Sequence, residues 1–307
     1  MRIALKFLMC GLFTVVFVGC GGNAVPNTYK FATVPGGKYE IGNVIGDKDI
    51  ENNPARSVTL SPYSMAVNDV TKAEWDTVRT WALTHGYTDL AVGRGKAANH
   101  PVINVTWHDV IKWANAASEK NGLKPCYKVN GAVYRTGENG AVNCDWAAKG
   151  YRLPTEAEWE VAARGGLKGK RFPWGDTISH NQANYWSGAL NIVLPKPFWD
   201  VNKDAGFHPK YRTSERPSTS PVESFAANGY GLQDMAGNVF QWCWDWYAEN
   251  YKVDATNPKG PATGSERVLR GGEWCGDAGH PRCAQRGFTD PTNAQDFIGF
   301  RVSRGFP

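Results

Sequence analysis

Hydrophobic and polar residues alternate along this chain mostly in short bursts, and only three stretches carry the longer helical period. Apolar runs on either side of Pro35-Gly36-Gly37, from Phe31 to Val34 and from Lys38 to Gly42, predict two strands joined by a turn. Pro54 to Tyr63 predicts another short strand. Thr71 followed by Glu74 has the capping-box pattern, and Trp75 and Val78 supply the apolar face of the helix it opens. A second helix opens at Thr106-Trp107-His108-Asp109, where Val110, Trp113, Ala114 and Ala117 recur at helical spacing and His108 is expected at the surface. The third start is the clearest: Thr155 caps it, Glu158 closes the box, and Gly165-Gly166 stops it. Asn130-Gly131 between Tyr127-Lys128-Val129 and Ala132-Val133-Tyr134 predicts a hairpin. Beyond the third helix the chain reads as irregular, with short strands around Val268 and Phe300. No repeat and no low-complexity tract interrupts it, and no linker after residue 28 marks a domain boundary.

Composition fits that pattern. Thirteen Trp, twelve Tyr and thirty-four Gly suggest a loop-rich fold pinned by aromatic anchors rather than by long helices. The first residues are different. Arg2 and Lys6 precede a short apolar run from Phe7 to Val18, and Phe17-Val18-Gly19-Cys20 has the form of a bacterial lipobox. A bilayer span needs about 20 apolar residues, so residues 1–19 read as a cleaved lipoprotein signal and 20–28 as a tether lipidated on Cys20. The expected product is an exported lipoprotein, held on a membrane at the outer surface by acyl chains. Cleavage takes two of the 34 basic residues and none of the 29 acidic ones. The remaining charge is too mild, and too evenly spread, for a nucleic-acid partner.

Five cysteines follow Cys20: Cys126, Cys144, Cys243, Cys275 and Cys283. An exported protein has access to disulfides, and Cys126 and Cys144 flank the hairpin closely enough to pair across its ends. The odd total leaves at least one thiol outside any internal pair. The six histidines form no His-x3-His pair, so nothing supports a metallohydrolase.

Several segments together resemble the formylglycine-generating, or sulfatase-modifying, enzyme family. They are Val34-Pro35-Gly36-Gly37, His100 to Trp107, Tyr151-Arg152-Leu153-Pro154-Thr155-Glu156-Ala157-Glu158-Trp159-Glu160, Phe172-Pro173-Trp174-Gly175-Asp176 and Gly229 to Trp242. The C-terminal frame completes them: Arg267-Val268-Leu269-Arg270-Gly271-Gly272, Arg282-Cys283-Ala284 and Ile298-Gly299-Phe300-Arg301-Val302. The order matches the family's, and the resemblance covers residues 31–304. It implies a single α+β domain over residues 29–307, of the C-type-lectin-like, formylglycine-generating type.

The family's oxidase converts a substrate cysteine with molecular oxygen, using a closely spaced cysteine pair that binds copper(I); soft thiolates select that ion. The resemblance places the pair just after Gly272. Cys275 is the only thiol there, and Cys283 follows after seven intervening residues, within the structural Arg-Cys-Ala segment. One catalytic thiol is therefore missing, and neither copper nor the oxidase activity is expected; the alternative is an oxidase with a rearranged Cys275/Cys283 pair. The family's calcium positions map onto Asp234, the carbonyls of Gly237 and Val239, and Gln241, and a second set partly onto Asn184 and the carbonyl of Tyr185. Calcium favours charged oxygen ligands, so Gln241 in place of a carboxylate implies a weakened site. The bland reading of Asp234 is a turn cap.

Between the pieces of the frame the residues follow no family pattern. Trp274-Cys275-Gly276-Asp277, His280-Pro281, Gly287-Phe288-Thr289 and Ala294-Gln295-Asp296-Phe297 mix thiol, acid, imidazole and aromatic rings without strand or helix periodicity. Loops on a rigid scaffold are where binding residues concentrate. The layout is similar to the variable regions of proteins diversified by retroelements, where adenine mutagenesis turns AAC codons into NNC. NNC codons cannot encode Gln, and of the twelve positions from Cys275 to Phe297 in these segments only Gln295 fails that rule. The expectation is a ligand-binding patch within about residues 267–304, for an unidentified protein or glycan. Trp274, Phe288 and Phe297 would be its aromatic anchors, Asp277, His280 and Asp296 its polar selectors, with Cys275, Gly276, Thr289 and Ala294 between them.

Overall fold

Each of the three expected helix starts carries its full reciprocal cap. In α1 (Lys72–Ala82), α2 (Trp107–Lys120) and α3 (Glu156–Arg164) the hydroxyl of Thr71, Thr106 or Thr155 accepts the N3 amide. The N3 carboxylate of Glu74, Asp109 or Glu158 in turn accepts the cap residue's amide. Gly165 then ends α3 in the left-handed conformation, at φ +55°. The computed structural model describes residues 29–138, 140–188, 196–203, 205–249 and 255–305; Cys20 and the tether lie outside the described residues.

The strands are short and, among the described residues, make four small sheets. β1 (Phe31–Val34), β4 (Tyr63–Ala66) and β13 (Ser303–Gly305) form one, with β4 in the middle, so the two ends of the described domain meet on a single strand. β2 (Gly37–Ile41) pairs with β3 (Arg56–Leu60), and β9 (Ala255–Thr256) runs parallel to β3. The strands on either side of Pro35-Gly36 therefore do not pair with each other; the turn hands the chain from one sheet to the next. Gly36 is required there because a Cβ would come within 2.8 Å of the Pro62 ring. The Asn130-Gly131 hairpin joins β5 (Tyr127–Val129) to β6 (Ala132–Val133), and β7 (Asn143–Cys144) lies on the other side of β5. Cys126 and Cys144 are adjacent there but are free thiols. The last sheet is ordered β11 (Gly287–Thr289), β10 (Arg267–Arg270), β8 (Phe240–Trp246), β12 (Ile298–Gly299), and it carries the C-terminal segment.

Two apolar clusters support these sheets. One packs α1 against α2 and the C-terminal Phe300: Trp75 and Trp113 stack 5.8 Å apart, and Phe300 meets both rings edge-on. The other lies under α3, where Trp159, Met65, Val268 and Cys283 are buried together. His108, expected at the surface, is buried; burial, with Arg267 and Lys112 nearby, lowers its pKa to about 4, and its ring lies against Tyr134. The helical period placed it outward, but β6 and the residues after it cover that face of α2.

α3 also supplies two fully buried carboxylates. Glu160 accepts from the Gly42 amide (2.6 Å), from Arg164 (2.7 Å) and from Arg270 (2.6 Å). Glu156 accepts from Arg286 at 2.6 and 3.0 Å. Burial alone would raise the pKa of Glu160, but Arg164 and Arg270 bring it down to about 2. A folded pKa below the unfolded value means that this stabilisation is complete above about pH 4.5 and is lost as pH falls toward 2. Glu160→Ala leaves the buried Arg164 without a carboxylate and Arg270 with only the longer contact to Glu156, and should cost about 3–5 kcal/mol. Urea denaturation at pH 7 measures that loss, and it should shrink as both proteins are taken down toward pH 2.

Candidate functional site

Four arginines of the C-terminal segment, three of them in the frame and Arg286 just beyond it, are buried and hold the loops from beneath. Arg267 lies between the rings of Trp107 and Trp246, at 3.6 and 3.4 Å from their centroids. Arg270 reaches the carbonyls of Cys283 (2.7 Å) and Gln285 (2.7 Å) besides Glu160. Arg282 is fixed by Asp47 (3.0 Å) and Asp49 (2.5 Å) and donates to the Gly279 carbonyl. Arg286 holds Glu156 and the carbonyls of Asn52 and Ala248. Arg270, Arg282 and Arg286 each meet several acceptors at once, as the fork geometry of a guanidinium allows. Some of the intervening side chains, the exposed Phe288 among them, are thereby freed from holding the fold.

The first loop turns sharply at Gly271 and Gly272, with φ +100° and +73°; a Cβ on Gly272 would lie 2.6 Å from the His280 carbonyl carbon. Trp274 then docks by its amide on the Asn238 carbonyl (2.9 Å), and its indole N–H donates to the Asp296 carbonyl (3.2 Å). Glu273 takes His280 Nδ1 at 3.0 Å. Burial would depress the pKa of His280, but Glu273 and Asp277 raise it above the ordinary histidine value. Gly276 is part of this pairing: a Cβ there would fall 2.3 Å from the imidazole and 2.5 Å from the Glu273 carboxylate. Asp277 accepts the Gly279 amide at 2.8 Å and closes the turn.

Trp274 and Cys275 open onto a cavity of about 590 Å³. Its other wall is a segment that nothing in the sequence singled out: Phe207, whose ring lies 5.9 Å from that of Trp274, and residues 212–218 with Arg212 and Arg216. The Arg216 guanidinium sits 5.0 Å from the Trp274 ring centroid and is held by both Asp296 oxygens, at 2.9 and 2.8 Å. The structure thus brings together Trp274, Cys275 and Asp296. Phe288 and Thr289 lie elsewhere on the same segment, on β11. Phe288 is 43% exposed and stacks on Tyr247 at 3.9 Å, while Thr289 accepts from Asn293. Ala294 is half-buried, and Phe297 packs against the first apolar cluster, with its carbonyl bonded to the Phe240 amide.

The two thiols do not share a site. Cys275 borders the cavity, whereas Cys283 is fully buried under α3 with its amide on the Arg171 carbonyl. Burial pushes each pKa up to about 12, assisted at Cys275 by the Glu273 carboxylate. Copper(I) binding by two thiolates needs the two sulfurs to converge on one ion, and this arrangement sets them in different places.

The calcium positions can be tested against their partners. Asp234, at φ +54° before Gly237 at φ +75°, is buried, and its Oδ1 has no hydrogen-bond partner, as a cation ligand would require. Gln241 does not fit. Its Oε1 accepts from Trp159 Nε1 and Arg301 Nε, both at 2.7 Å, and its Nε2 donates to the Asp234 carbonyl. Arg301 also donates to the carbonyls of Ala66, Val67, Gln233 and Asp234, so a guanidinium already supplies the positive charge. Gly237 and Val239 lie in the turn entering β8. In the second set the Asn184 carbonyl accepts the Asn238 amide, and that of Tyr185 faces His180 Nε2 at 3.0 Å.

Few helices and many short strands in one α+β domain are what the formylglycine-generating-enzyme type of fold implies, and this chain has them. The sulfatase-modifying factor enzyme 1-like domain matches residues 20–305, and the chain belongs to that family. It is 35% identical to the formylglycine-generating enzyme of Streptomyces coelicolor, over 75% of this chain and 60% of that enzyme's length. It is 33% identical to the inactive C-alpha-formylglycine-generating enzyme 2 of Bos taurus, over 91% of this chain and 89% of that one. Among solved structures, Treponema denticola variable protein 1 matches with TM-score 0.70 and 30% identity, covering 91% of this chain and 95% of that one. CarF matches with TM-score 0.68 and 28% identity, over 91% and 99%.

Thiol chemistry gives a direct check on the site. With a pKa near 12, Cys275 should alkylate with iodoacetamide at pH 8 roughly a thousandfold more slowly than an ordinary thiol. Cys283 should label only on unfolding. Mass spectrometry of time-quenched samples reads both.

Proposed function

We propose that this protein is a membrane-anchored ligand-binding member of the family, displayed through lipid on Cys20, that binds through the C-terminal face and has lost the oxidase chemistry. The observation that carries the reading is the cavity beside Trp274, which holds one cysteine and not a pair. Its size falls within the range of small-molecule and peptide pockets. Both enzymes and a relative named inactive lie at comparable identity, so family membership alone does not assign the chemistry. The kinship with a variable protein supports the binding reading and the diversification of the loops between the arginines. In this reading the ligand is a protein or glycan and nucleic acid is not a partner. In the same reading Arg301 is the cation that faces Asp69 and Asp234, and burial outweighs it and raises the pKa of both carboxyl groups.

The competing reading, an oxidase with a rearranged pair, draws on the position of Cys275 at this cavity. A sulfatase-type Cys-x-Pro-x-Arg peptide incubated with the protein, copper(I) and oxygen should remain unmodified. Formation of formylglycine that stops in Cys275→Ser would establish the oxidase instead. The diversification reading makes its own prediction about the gene. A near-copy of the segment encoding residues 270–302 should lie nearby, differing mainly at adenines and adjoining a reverse transcriptase gene; sequencing the locus without finding one removes that part of the reading.

A further inference from the structure

We infer that the cavity beside Trp274 recognises an acidic side chain carried on an apolar peptide, and that residue 296 sets the charge it presents. This rests on the ligand-binding reading and gives it a chemistry.

Among the described residues the lining contains two guanidinium groups, Arg212 and Arg216, and no carboxylate. Arg212 is exposed and has no ion-pair partner among the described residues. Arg216 spends only part of its donor set: Nε and Nη2 hold Asp296, while Nη1 has no partner among the described residues. A guanidinium carries five N–H groups in a fixed fork, so Arg216 can hold Asp296 and still offer donors into the cavity. Its plane is kept in place by the Trp274 ring beneath and Asp296 at one edge. A planar cation so positioned suits bidentate recognition of a carboxylate.

The rest of the lining is part aromatic and part hydroxyl-bearing, with Thr213 and Cys275 between the two kinds. Phe207 and Trp274 make the walls, and Ser214 and Ser218 add hydroxyls near the arginines. A ligand that satisfies both halves has a carboxylate attached to an apolar body. A hydrophobic peptide with a Glu or Asp has that form, whereas an uncharged glycan would leave Arg212 facing it without a counter-charge.

Asp296 is the second half of the inference. The Arg216–Asp296 pair is well exposed on the arginine side, 63% against 24% for the aspartate, and a pair of that kind is weak enough for a ligand to compete with. Asp296 also lies in the segment between the arginine frame pieces, while Arg212 and Arg216 lie outside it. An acid at 296 partly neutralises the cavity; a neutral residue there leaves two free cations. One position of a variable loop can therefore tune a charge that the scaffold supplies.

Isothermal titration calorimetry with two blocked peptides, N-acetyl-Phe-Glu-Phe-amide and N-acetyl-Phe-Gln-Phe-amide, tests this on the mature protein. The Glu peptide should bind at least about fivefold more tightly at low salt, with the advantage shrinking as salt rises. Arg212→Gln, at an exposed position, should abolish the preference, and Asp296→Asn should strengthen Glu-peptide binding several-fold. Thermal unfolding of each variant checks that the fold is retained. Equal affinity for the two peptides would overturn the acidic preference while leaving a binding cavity in place. Failure of both peptides to bind wild type and Asp296→Asn would overturn the assignment of the cavity as a peptide site, and the gene-copy test would still judge the wider reading. If Arg216→Gln removes the effect of Asp296→Asn, residue 296 acts through Arg216; an unchanged effect would overturn that link.

Discussion

Everything in the C-terminal half hangs on a buried exchange of charge beneath α3. Glu156 and Glu160 point from the first turns of a nine-residue helix into a space where Arg164, Arg270 and Arg286 converge. Ion pairs of this kind need near-complete hydrogen bonding to offset desolvation, and here it is achieved by spreading each guanidinium over carbonyls of separate loops. Arg270 ties residues 283–285 to α3, and Arg286 ties β11 to the carbonyl groups of Asn52 and Ala248. Loops that are mostly irregular acquire fixed positions from charges instead of from long ladders.

That design separates support from presentation. Arg267, Arg270, Arg282, Arg286 and Arg301 are all buried, while Cys275, Asp277, His280, Phe288 and Asp296 retain partial or full exposure. The separation is incomplete. Gly272 and Gly276 leave room for no side chain, and Trp274 is fixed by two backbone acceptors. Substitution at those three positions would move the loop itself, whereas Phe288 and Asp296 could change with little cost to the fold. A segment built this way tolerates variation at particular positions, not along its whole length.

The same logic bears on the metal positions. A turn with three left-handed residues, Asp234, Gly237 and Asn238, aims buried oxygens inward. In this chain Gln241 and Arg301 close that space between them, Gln241 accepting from Arg301 and donating to the Asp234 carbonyl. Replacing a carboxylate by a carboxamide thus changes hydrogen-bond direction as well as charge, which the sequence expressed only as a missing negative group.

Local signals were readable wherever a residue acts on its own neighbours. The three capped helices, the Asn130-Gly131 hairpin, the left-handed stop at Gly165 and the solitary Cys275 after Gly272 follow from contacts within a few residues, so sequence determined them. Family resemblance carried the α+β fold class for the same residues at longer range. Tertiary structure alone decided the rest. Phe207, Arg212 and Arg216 reach the cavity from far along the chain, without motif or periodicity, because irregular segments are placed by their partners. His108 is buried by elements that helical spacing does not see, and Phe297 packs inward although it ends a polar loop. The glutamates of α3 read as ordinary cap and helix residues until Arg270 and Arg286, more than a hundred positions away, were brought against them. Pairing between distant residues depends on how the chain closes on itself, and no local pattern records it.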